Sequence, residues 1–66
     1  SDYLTINAPE DIYDLRIIDA KGAIVFQQKS FNPNDQIDIK ALNNGEYLLQ
    51  LISPKGSITK QIQIIR

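Results

Sequence analysis

Sixty-six residues with a net charge of −1 and no cysteine, histidine or methionine describe one small domain. Neither disulfides nor the usual transition-metal ligands can hold it together. A chain this short buries only about 60% of its unfolded surface, so a stability of about 3–5 kcal/mol must come from packing and backbone pairing, or from a partner. Thiol- and imidazole-based catalysis is excluded, and the apolar runs are too short for a membrane-spanning helix.

The missing initial methionine is what a piece of a longer product is expected to show, and any export signal would then lie upstream. Residues 1–20 carry Asp2, Glu10, Asp11, Asp14 and Asp19 against Arg16 alone, whereas Lys55, Lys60 and Arg66 follow Glu46 with no further acid. Three scattered cations do not make a nucleic-acid footprint, which needs clustering and interleaved aromatics.

In chain order, Tyr3-Leu4-Thr5-Ile6 reads as a short strand ended at Ala8-Pro9, because proline cannot donate to a ladder. Residues 10–14 form a connection whose Ile12 and Tyr13 touch the core. Leu15 to Ile18 is a second strand, and Asp19-Ala20-Lys21-Gly22 fits a type I turn. Ala23 to Lys29 is a third strand, with Ile24 and Phe26 expected on its buried face. Phe31-Asn32-Pro33-Asn34-Asp35 is a loop dense in turn formers. Gln36 to Lys40 alternates, Ile37 and Ile39 in, Asp38 and Lys40 out.

Leu42 to Ile52 organises the rest. Leu42 plugs the core, and Asn44-Gly45 supplies two residues that tolerate φ > 0 for a tight reversal. Tyr47, Leu49 and Leu51 then share one face, while Leu48 and Ile52 interrupt the Glu46/Gln50 face. That pattern predicts a central strand covered on both sides for part of its length. Ser53-Pro54-Lys55-Gly56 is a second type I turn. The final strand runs from Ser57 to Ile65, with Ile58, Ile62 and Ile64 on one face broken by Lys60, and Thr59, Gln61 and Gln63 outward.

No segment shows helical apolar spacing, and strands recur between turn signals every 8–12 residues. The fold class is therefore all-β, a small immunoglobulin-like antiparallel β-sandwich of about six or seven strands. An internal echo relates Ile17–Ile24 to Leu51–Ile58, 34 residues on, as one hairpin solution used twice.

Candidate chemistry is sparse. Ser1, Ser30, Ser53 and Ser57 lie at an end or near turns with no basic partner, and the three glycines are isolated turn formers, not a phosphate loop. Asp14 with Asp19, or Asp35 with Asp38, are carboxylate pairs without the spacing of a calcium loop; solvated strand ends account for them. Tyr3, Tyr13 and Tyr47 are the available sugar-stacking aromatics, with Tyr47 assigned to the core. No catalytic, metal or cofactor site follows.

The order of pieces carries a resemblance: Tyr3-Leu4-Thr5-Ile6, a strand ending Asp19-Ala20-Lys21-Gly22, then Ile37-Asp38-Ile39-Lys40-Ala41-Leu42-Asn43-Asn44-Gly45-Glu46-Tyr47, then a Lys60-bearing last strand. It resembles the C-terminal sorting domain, type A, of type IX (Por) secretion cargo from Bacteroidetes-type bacteria, over nearly the whole chain. Leu42-x-x-Gly45-x-Tyr47 is the most specific element. The family's Pro-Asn-Pro-type start is missing ahead of Ser1, which implies a chain beginning inside the domain.

The resemblance implies a transport address without activity of its own. It passes through the periplasm and is read by the outer-membrane translocon with its shuttle and sortase components. A sortase-like peptidase cuts upstream, leaving the cargo secreted or at the cell surface. Its implied recognition residues are Gly45, Tyr47, Lys60, Ile62, Ile64, Ile65 and Arg66. Lys60 to Arg66 has high β-propensity, alternation and no acid: at a sheet edge it would be open to strand addition, by a receptor or by self-association, and otherwise it is simply the closing strand. For Gly45 and Tyr47, a tight turn and a core anchor are the favoured account of the pattern, ahead of receptor contact. The competing reading is a carbohydrate- or protein-binding accessory module of a larger secreted enzyme, which calls for tyrosines exposed on one sheet face; a spacer domain is the third.

Overall fold

A computed structural model describes residues 3–65, and every regular element among them is a strand. These are β1 (Tyr3–Leu4), β2 (Tyr13–Asp19), β3 (Ile24–Phe31), β4 (Ile37–Asp38), β5 (Gly45–Ser53) and β6 (Gly56–Ile64). The long strands form an antiparallel sheet in the order β3-β2-β5-β6, and β1 pairs with β4 in a two-stranded ladder. The expected all-β sandwich is present, with six strands in sheets of four and two.

Period-2 alternation builds the core. Tyr13, Leu15 and Ile17 of β2 and Tyr47, Leu49 and Leu51 of β5 are buried on one face. The register sets Leu15 against Leu51 and Ile17 against Leu49. Phe31, Ile37 and Leu42 close over them, joined by the half-buried Leu4, Ile6 and Ala8 of the N-terminal arm. The small ladder therefore works as a lid: two residue pairs carry little pairing energy, but they hold apolar side chains over the larger sheet.

The internal echo has a structural counterpart. Arg16 and Gln50 are 34 residues apart and directly paired, so the offset exchanges the pair Leu15–Leu51 with Ile17–Leu49. An approximate two-fold thus passes between Arg16 and Gln50, relating the hairpins β2–β3 and β5–β6. It extends to the tyrosines: the Tyr13 hydroxyl donates to the Pro9 carbonyl at 2.8 Å, and the Tyr47 hydroxyl donates to the Asn43 carbonyl at 2.7 Å. Each ring anchors a strand to the segment four residues upstream, as the tyrosine of an immunoglobulin-type sandwich does.

The structure departs from the sequence expectations in definite places. Leu42 N–H donates to the Ile39 carbonyl at 3.0 Å and Lys40 N–H to Asp38 Oδ1 at 2.9 Å, so the reversal precedes the Asn-Gly pair. Asn44 has no positive φ, and β4 and β5 belong to different sheets. The segment is a crossover between layers, not a tight hairpin.

In β3 the register slips between Ile17/Ile18 and between Tyr13/Leu15. The first slip pairs Phe26 with Ile17 on the core side and Ile24 with Ile18 on the outer side, leaving Ile24 exposed. The second contains Ser30 at φ 57° and returns Phe31 to the core, where it is fully buried at the end of a strand instead of in the expected loop.

Ile12 is exposed, not packed inward. β5 is central, but Leu48 is exposed and Gln50 and Ile52 only half-buried, so its second face is not covered. The two predicted turns hold. Gly22 N–H donates to the Asp19 carbonyl at 3.0 Å, with Gly22 at φ +90°, and Ser53 pairs with Gly56 across a two-residue loop.

Two stability predictions follow from the core. Leu51→Ala removes a fully buried side chain at a cost of about 2–5 kcal/mol, comparable with the roughly 3–5 kcal/mol available to a domain of this size. The variant should be largely unfolded at 25 °C by far-UV circular dichroism; a native thermal transition would contradict this core. Tyr13→Phe and Tyr47→Phe should each cost about 1 kcal/mol in urea melts. Because the rings lie towards opposite ends of β2, the double variant should show the sum.

Candidate recognition surface

The ladder between β5 and β6 brings the sequence-predicted residues together. Gly45 pairs with Ile64, Tyr47 with Ile62, and Leu49 with Lys60, in an unbroken register from Gly45/Ile64 to Ser53/Gly56. Ile65 follows directly after β6 and is 75% exposed. Arg66 lies outside the described residues. The Gly-x-Tyr at the start of β5 and the end of β6 are thus one continuous corner of the large sheet.

The members of this corner differ in accessibility. Tyr47 and Ile64 are buried, at 8% and 5% exposure, and the Tyr47 hydroxyl is occupied by Asn43. Gly45 has φ +156°, and a Cβ there would meet nothing closer than Tyr47 Cε2 at 3.9 Å. Backbone conformation, not lack of room, is what favours glycine. These three residues shape the corner, while Lys60, the half-buried Ile62 and Ile65 offer surface for contact.

Lys60 is paired with the buried Leu49, so its side chain leaves β6 on the core side of the sheet. It passes the rim and donates from Nζ to the Asn7 carbonyl at 2.8 Å. This bond ties the final strand to the N-terminal arm across nearly the whole chain. Asn7 was not legible as a partner: a polar residue between two apolar ones gives no sign of where its carbonyl will point.

The tyrosines do not assemble a stacking platform. Tyr13 and Tyr47 are buried with their hydroxyls bonded to backbone, and Tyr3 alone is exposed. The candidate carboxylates also have local work. Asp19 Oδ1 accepts from Lys21 N–H and Ala23 N–H at 2.9 Å each, and Asp38 Oδ1 takes Lys40 N–H. Among the described residues no three His, Cys, Asp or Glu side chains come together as a metal site. The shallow clefts that exist follow the strand ends, one of them lined by Glu46, Gln61, Ile62 and Gln63 beside the β6 edge.

A family model described as the secretion system C-terminal sorting domain matches residues 1–65. No curated protein and no solved structure matches the chain significantly. The match spans the arm, both hairpins, the crossover and the final strand together. The chain belongs to the secretion system C-terminal sorting domain family, the type IX class of C-terminal secretion signals.

Proposed function

We propose that these residues act as one sorting domain, read in its folded form by the type IX outer-membrane translocon after the cargo has crossed the periplasm. The domain has no catalytic role: it is the substrate of a sortase-like peptidase that cuts upstream of it at the cell surface. Its contact residues are Lys60, Ile62 and Ile65, the accessible part of the β5–β6 corner, together with Arg66 of the terminus, with Gly45, Tyr47 and Ile64 holding that corner in shape.

The observation that carries this reading is the family match over residues 1–65. Two structural features support it. The final strand is an edge strand, which a receptor can address through its backbone. The arm where the upstream cargo would join is tied by Lys60 to that same strand. The accessory sugar-binding reading is disfavoured by the tyrosines, since two of the three are committed to the core.

Fusion tests the reading. The chain with its upstream linker, appended to a periplasmic reporter in a host carrying this secretion system, should deliver the reporter outside the cell. A reporter that stays in the periplasm refutes the role. Ile65 is 75% exposed and outside the buried core, so a variant lacking Ile65 and Arg66 should still fold, by far-UV circular dichroism, while export is lost.

A further inference from the structure

We propose that the free edge of β6 takes up an extended receptor segment of the pattern apolar–x–acid–x–apolar, with its acid beside Lys60. The identity of the receptor rests on the sorting role proposed above; the chemistry of the edge does not.

The two edges of the large sheet are not alike. β3 is interrupted by two register slips and has Ser30 at positive φ. Bulges are devices that discourage pairing at an edge. β6 has nine residues in one continuous register with β5, and it contains no proline. Its outward residues Ser57, Thr59, Gln61 and Gln63 are exposed and uncharged. Among the described residues, β6 is the edge prepared to accept a strand.

Selectivity then lies on the core-facing side. Ile58, Lys60 and Ile62 follow one another there, and the two isoleucines are only half-buried. Side chains of an added strand would stand about 4.5–5.5 Å from them, Cβ to Cβ. Apolar residues level with Ile58 and Ile62 cover the remaining apolar rim. An acid level with Lys60 meets an ammonium that carries three donors and has committed one of them to a neutral carbonyl. A cation at that level would be repelled. The outward row accepts any small polar residue and adds no selectivity.

The pattern reads the same in both directions, so it does not depend on whether the added strand runs parallel or antiparallel. A second copy of β6 does not meet it. That strand has no acid, and pairing centred on Lys60 would oppose two ammonium groups.

Seven-residue peptides of sequence TVTETVT and TVTKTVT, methylated on alternate far-edge amides to prevent stacking, provide the test. Each is titrated into the isotopically labelled 66-residue chain and followed by amide chemical shifts. The glutamate peptide should perturb Thr59 to Gln63 and bind about fivefold more tightly than the lysine peptide, the difference expected of opposed against like charges across a strand pair. Lys60→Glu should reverse the preference. If that variant does not fold, Lys60→Gln should erase it.

Equal binding by the two peptides, shifts confined to β3, or no shifts at millimolar peptide would overturn the proposal. The export assay separates it from the sorting role. Export of the wild-type fusion with no peptide preference leaves the role standing and the edge chemistry refuted. Peptide preference with a reporter retained in the periplasm does the reverse.

Discussion

The structure depends on the pairing of β2 with β5. Six consecutive residue pairs join these strands, and each presents alternate residues to one face, so Leu15, Ile17, Leu49 and Leu51 interlock with their partners already chosen. A one-residue slip would turn every one of these side chains outward, so burial fixes the register firmly. Everything else attaches to that pair. β3 and β6 extend it by hairpins, and the arm, the β1–β4 ladder and the crossover cover it.

Such economy has a physical reason. With no cysteine for a disulfide, and with six large side chains fully buried among the described residues, the apolar core is too small to support two independent sheets. One strong sheet plus a lid of separate apolar contacts requires less pairing. The lid is then held by single hydrogen bonds at well-spaced points: Tyr13 to Pro9, Tyr47 to Asn43 and Lys60 to Asn7. Each costs the entropy of one side chain and relieves a carbonyl that irregular backbone would otherwise leave without a partner.

What was legible in the sequence was what alternation encodes. β2, β5 and β6 follow from period-2 apolar positions, and Leu42 and Tyr47 were recognisable as core before any coordinates. The misreadings cluster where the backbone changes phase. Two slips in β3 put Ile24 outside and Phe31 inside, although alternation alone would carry Ile24 in with Phe26. Asn44-Gly45 has the composition of a hairpin turn, yet the reversal is made by Asp38 to Leu42, where an aspartate side chain captures a backbone N–H. A short-range signal reports that the chain can bend; which layer it bends into depends on apolar surface elsewhere. The recognition corner was legible as a set of residues but not as a division of labour, since burial separates Tyr47 and Ile64 from Lys60 and Ile65 only once β6 is docked on β5.

That division bears on how an address can be read in a folded molecule. The most recognisable residues of the pattern, Leu42 in the crossover and Gly45 and Tyr47 at the start of β5, are committed to the fold: Leu42 and Tyr47 are buried, the latter also bonded through its hydroxyl, and Gly45 is held by its φ. On the reading proposed above, a receptor would meet little of them, and they would act by holding β5, and through it β6, in place. Ile58, Lys60 and Ile62 share one face only while β6 is held in register. In an unfolded chain the same residues lie within five consecutive positions of mixed polarity with no fixed face. If the β6 edge is what the receptor reads, as proposed, folding is part of the address: a sorting domain that has not closed presents no continuous edge.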